Sequence, residues 1–198
     1  MADLGVAGHA PIALLDANVL WSSMLRDFLV RAQIAEIYDA LWSHQILDEF
    51  AMSLKRRRPD LDPKRIDRTR TLLIEQFPEA IVREYEDLIP LMRNDVDDRH
   101  VLAAAVKGNA NVLVTFNVKH FTANACEPYK IKVLTPDQFL CSLWQIYSKK
   151  MANVLVLQAI DLSKPPKTPV QLVETLGLSA PEFANKVLAS HLLDDQLL

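Results

Sequence analysis

The run Ile12-Ala13-Leu14-Leu15 is apolar without interruption and ends directly in a carboxylate, Asp16. A short run of this kind suits a strand buried on both faces of a parallel sheet, because a strand with one wet face alternates in polarity. Val112-Leu113-Val114 repeats the pattern. Tyr38 to Trp42 and Ile131 to Leu134 are weaker candidates of the same kind, each followed by a residue able to cap a helix, Ser43 and Thr135. Strands and helices are therefore expected to alternate, which predicts right-handed crossover units on a mainly parallel sheet.

The helices carry clearer punctuation. Asp62-Pro63 supplies a cap and a proline at the first helical position, and Ile66, Leu73 and Phe77 recur along one face behind it. Asp97 or Asp98 is expected to open a helix running through Val101, Leu102, Ala105 and Val106 to Gly108. Thr135-Pro136 with Gln138 opens another, continuing past Tyr147. After about residue 161 the character changes. Lys164-Pro-Pro-Lys-Thr-Pro169 reads as a stiff linker, followed by one short helix from Thr168-Pro169 to Gly177 and a second from Ser179, with Glu182 completing a capping box. The expected division is a main domain over residues 1–150 and a C-terminal helical extension over 151–198.

With 198 residues, half of them hydrophobic, the chain can bury one sizeable core. The net charge of -3 does not announce a nucleic-acid binder, but it conceals eight basic residues against three Asp between Lys55 and Arg70. Cys126 and Cys141 form no CxxC pair, and neither a long apolar span nor a charged-then-apolar leader is found, so a reduced, cytoplasmic protein without a membrane anchor is expected.

Three acidic features carry the chemistry. In an open parallel sheet functional groups gather beyond the carboxyl ends of the strands, where Asp16 stands; Asn18 is placed to hold its carboxylate, though a plain helix cap is an equal reading. On a helix from His44 to Arg58, Glu49 falls roughly 60° outside the apolar arc of Ile46, Leu47, Phe50, Ala51 and Leu54, at the margin of the buried face. In Asp95-Val96-Asp97-Asp98 three carboxylates repel one another unless a cation or a helix N-terminus compensates. The spacing is not that of a calcium loop. Hard oxygen donors without thiolates favour magnesium or manganese, and such a site suits phosphodiester hydrolysis. The basic run Lys55, Arg56, Arg57, Arg58 shares the predicted helix of Glu49 and is either a solvated face or a stripe that holds nucleic-acid phosphates.

Taken in order, Leu15-Asp16-Ala-Asn18-Val-Leu20, Trp42-Ser43-x-x-Ile46-Leu47-x-Glu49, Asp97-Asp98-Arg99-His100-Val-Leu-Ala-Ala-Ala105, Leu113-Val-Thr115-Phe-Asn117 and Thr135-Pro136-Asp137-Gln-Phe139-Leu140 resemble the PIN-domain family, closest to VapC-type toxins of type II toxin-antitoxin systems. The resemblance covers about residues 10 to 147. It implies a three-layer α/β fold that brings Asp16, Glu49 and Asp98 together around Mg²⁺ or Mn²⁺, with Asp97 as a further ligand and Asn18, Thr115 and Asp95 in support. Family members usually add a fourth acid where this chain has Asn117, and an Asp where it has His120. Arg26, Lys55, Arg56, Arg57, Arg99 and His120 are the expected substrate contacts.

These features together predict a metal-dependent endoribonuclease acting as the toxin of a toxin-antitoxin pair, with RNA as substrate, a cognate antitoxin as partner and a homodimer as its assembly. The alternatives are a housekeeping RNA-processing or DNA nuclease of the same fold, and a catalytically inactive binding module. The C-terminal helices resemble a helix-turn-helix only in spacing, since residues 180–193 carry a single full positive charge, Lys186; packing, dimerisation or antitoxin contact is expected of them instead.

Overall fold

The computed structural model describes residues 10–193, so the outermost residues of both expected domains lie outside it. In chain order the strands are β1 (Ile12–Leu15), β2 (Asp39–Ser43), β3 (Ile81–Val82), β4 (Val112–Val114) and β5 (Lys132–Leu134). The α-helices are α1 (Ser23–Ile34), α2 (His44–Arg57), α3 (Pro63–Gln76), α4 (Arg99–Lys107), α5 (Ala123–Cys126), α6 (Pro136–Asp161), α7 (Pro169–Leu176) and α8 (Pro181–Ala189). The chain is an α/β protein with two compact units, one comprising residues 12–21 and 40–133, the other residues 22–39 and 134–193 together with the described part of the N-terminal segment.

The first unit holds the sheet, in the order β3-β2-β1-β4-β5. β1 pairs with β4 in parallel, Leu15 opposite Val114, and β2 with β3 likewise. Every residue from Ala13 to Leu15 and from Val112 to Val114 is fully buried, as the unbroken apolar runs require. Strand order reverses between β1 and β4, so the ends of these two strands form the crevice in which an open α/β sheet places its functional groups. Gly108 closes α4 where a Cβ would meet Leu41 Cδ1 at 2.6 Å and Val82 Cγ2 at 3.0 Å; space, rather than backbone conformation, asks for glycine there.

The second unit is helical. Phe183 of α8 stacks against Phe28 and, edge-on, Trp144, with centroids 5.6 and 5.8 Å apart. Arg31 bridges Asp27 at 3.1 Å and Asp161 at 2.8 Å. The expected boundary at residue 150 falls inside α6, shortly after a non-helical Tyr147.

Several expected elements differ in their ends, for identifiable reasons. The strand expected over Tyr38 to Trp42 begins at Asp39, and that over Ile131 to Leu134 begins at Lys132. A 3-10 turn, Val96–Asp98, precedes α4 and is capped by the Asp95 side chain on the Asp97 N–H, while Asp98 stands at the N-cap of α4 itself, as expected, without a side-chain cap hydrogen bond. The last helix starts at Pro181 rather than Ser179 and has no capping box. Its first amides are capped instead by Asp137, which accepts from the N–H of Phe183 at 2.8 Å and of Glu182 at 3.2 Å. Neither α1 nor the two-residue β3 is evident from the sequence pattern.

Candidate functional site

Asp16 follows β1 and is 4% exposed. Its backbone N–H continues the β1–β4 ladder by donating to the Val114 carbonyl at 3.0 Å, which brings Thr115 alongside. The Thr115 hydroxyl and the Asn18 amide both donate to Asp16 Oδ2, each at 2.6 Å. Thr115 Oγ accepts in turn from the Asn117 N–H and from Asn18 Nδ2, while Asn18 Oδ1 accepts from the Phe116 N–H. The side chain of Asp16 therefore caps no helix; it is held in a network that spans the strand ends.

Burial raises the Asp16 carboxyl pKa above its ordinary value; the Thr115 hydrogen bond lowers it, and the charges of Asp98 and Glu49 add to the rise. Burial and the neighbouring carboxylates both disfavour the charged form of Asp16, and a cation beside it would offset them.

Asp98 ends the 3-10 turn before α4, and its side chain is not spent on capping. It meets His120, whose Nδ1 is 2.5 Å from Asp98 Oδ2. Asp95, Asp98 and His120 each offer a ligand atom, all within 4.8 Å of one another, and theirs is the close donor group found among the described residues. Asp97 is exposed and outside that group, and Asn117 is exposed as well.

Glu49 projects from α2 at the rim, its side chain 35% exposed, where the helical wheel puts it. It accepts from Gln45 Nε2 at 3.2 Å and contacts His100. Burial alone would hold the His100 ring below the ordinary value, but the hydrogen bond and charge of Glu49 outweigh it and raise the pKa. Beside Glu49 lies a cleft of about 500 Å³, walled by His44, Arg83 and Tyr85 among others. Gln45, Tyr85 and His100 were not singled out from the sequence; His100 stands openly within the Asp98-Arg99-His100 string, whereas the other two have no pattern to mark them.

The basic residues of the expected stripe lie at the surface, some paired and some exposed, with Arg56, Lys64, Arg65 and Arg68 among the exposed ones. Lys55 pairs with Asp67 at 2.5 Å, Arg70 with Asp48 at 2.5 Å, and Arg58 with Asp60. Arg57 lies over the Trp21 ring at 4.1 Å, while Arg56 is exposed. Arg99 reaches the Asn94 carbonyl at 3.4 Å. Arg26 belongs to the helical unit, where burial lowers its pKa.

The donors present are ones that a divalent cation fits: the carboxylates of Asp95 and Asp98 with the His120 imidazole in one close group, and, outside that group, the buried Asp16 carboxyl under the charges of Asp98 and Glu49. Among the described residues no helix is long and apolar enough to cross a membrane.

A family model described as the PIN domain matches residues 13–119, and one described as the VapC50 C-terminal domain matches residues 136–189. Among curated proteins the chain is similar to one from Mycobacterium tuberculosis named "Putative ribonuclease VapC50", 45% identical over 102 residues, which is 52% of this chain and 60% of the relative. The matched stretch thus spans less than two thirds of that relative's length. No solved structure matches.

Proposed function

This chain belongs to the PIN-domain family, and on that premise we propose that it is a divalent-metal-dependent endoribonuclease working as the toxin of a toxin-antitoxin pair. The observation that carries the reading is the buried Asp16 carboxyl at the β1–β4 crevice, under the charges of Asp98 and Glu49. In this reading Asp16, Asp98 and Glu49 hold Mg²⁺ or Mn²⁺, with Asp95 and His120 beside them and Asp97 at the periphery.

A bound divalent cation supplies Lewis-acid polarisation of the phosphate and lowers the pKa of water. The chain's own part is positional. Thr115 and Asn18 lock the Asp16 rotamer through Oδ2. In this reading Arg56 and Arg57, both exposed, meet substrate phosphate together with Lys55, Arg99 and Arg26. The C-terminal helices, matched by a family model of their own, are assigned to packing and to contacts with an antitoxin or a second copy.

Purified protein should cleave RNA with Mg²⁺ or Mn²⁺ and lose that activity with EDTA or with Asp16→Asn. Metal-independent cleavage, or wild-type cleavage by D16N, would overturn the reading. Mn²⁺ binding without any cleavage would favour an inactive binding module.

A further inference from the structure

We propose that His100 is a positioning residue that fixes the Glu49 carboxylate at the site, an inference that rests on the place given to Glu49 above. The ring is 6% exposed, and its Nε2 lies 3.1 Å from one Glu49 oxygen and 3.2 Å from the other. Near-equal distances mean that the ring addresses the carboxylate as a whole, restricting its rotation as well as its position. A histidine merely satisfied in the core would need only a backbone carbonyl, whereas Nε2 of this ring meets a side chain 51 residues away, on another helix.

Glu49 needs such a partner. It stands at the rim on a long side chain with several rotatable bonds, and a glutamate left free there would point into water in most of its rotamers. Its other constraint is Gln45, one turn earlier on α2, whose Oε1 accepts from the Tyr85 hydroxyl at 3.4 Å. Tyr85 also reaches Ser43 Oγ at 3.3 Å. The carboxylate is therefore held from two sides, by an amide anchored through Tyr85 and by the buried ring. Because His100 follows Asp98 by two residues, the start of α4 delivers one acid of the site and the clamp for another. Outer groups of this kind orient carboxylate ligands and set how well a site binds metal.

Two neutral amides differing only in reach provide the test. In His100→Gln the amide nitrogen takes nearly the position of Nε2; in His100→Asn it falls short of Glu49. Calorimetry with Mn²⁺ on the full chain should show H100N weakened about 10- to 100-fold and H100Q within about threefold of wild type, with kcat on RNA following the same order. Adding H100N to Glu49→Gln should cost nothing further in Mn²⁺ affinity, because the clamp acts through Glu49. Equal Mn²⁺ affinity in H100N and H100Q, or multiplying effects in the H100N/E49Q pair, overturns the proposal. If D16N cleaves RNA like wild type, the nuclease reading falls separately, and the Mn²⁺ affinities still decide the role of His100.

Discussion

His120 Nδ1 and Asp98 Oδ2 lie 2.5 Å apart although 22 residues separate them, and the Asp95 N–H donates to the His120 carbonyl at 3.1 Å. The loop after β4 is thereby tied to the acidic turn by a side chain and a backbone bond together. The group in contact is an imidazole, and with Asp95 the two side chains make up the close donor group among the described residues.

A nitrogen donor suits manganese and later transition ions better than magnesium. His120→Asp is therefore expected to raise the Mg²⁺/Mn²⁺ affinity ratio by about tenfold, equivalent to about 1.4 kcal/mol. Competition calorimetry reads the ratio. An unchanged value would show that His120 takes no part in binding.

Asp16 should cost the metal-free fold stability. Its carboxyl has a raised pKa, so the folded state keeps the proton to higher pH than the unfolded chain, whose value is near 3.8. Stability from this residue declines as pH rises from there through the folded value and stays low at neutrality. Asp16→Asn should melt about 2–4 °C higher than metal-free wild type at pH 7, a gain of about 1 kcal/mol, while losing activity. Mn²⁺ at about 100 times its Kd should stabilise the wild type by about 2.7 kcal/mol and leave D16N nearly unmoved. A lower melting point for metal-free D16N would contradict the assignment.

The His100–Glu49 pair has the opposite pH signature. With the histidine pKa raised above 6.5, its contribution is complete below that value and is lost as pH climbs through the folded one. Between pH 6 and 9, in EDTA, the urea midpoint of wild type should fall more steeply than that of His100→Gln. Parallel curves would mean that the ring does not titrate against Glu49.

Asp137 caps α8 from the start of α6 through two amides, so Asp137→Ala should lower stability by about 1 kcal/mol, within the usual 0.5–2 for a lost cap. Amide exchange should speed up first at Phe183 and Glu182. Protection unchanged at those two amides would show that the cap does not hold the helix.

Much of this was legible along the chain. The unbroken apolar runs give β1 and β4, and the caps at Ser43, Asp62, Thr135 and Thr168 stand where their side chains accept amides. Glu49 at the edge of an apolar arc is at the rim in space. What escaped depends on partners distant in sequence. Two residues are too few for β3 to show a period. The α8 cap comes from a residue more than 40 positions earlier. The pairing of Lys55 with Asp67 and of Arg70 with Asp48 runs across the α2–α3 pair and has no mark in the local sequence. His120 gives no sign of meeting Asp98, because the loop's path, and not its composition, brings them together.

The Leu15–Val114 rung has a consequence in time as well as in space. Asp16 and Thr115 are the next residues on two strands that meet only after nearly a hundred intervening residues have been made, and a slip of one position would turn each side chain to the other face of the sheet. A chain still being synthesised, with β4 not yet available, has an Asp16 without its Thr115 hydroxyl and without the donor loop of His120. The network around Asp16 therefore closes only when the central strand pair does, after β4 has been made.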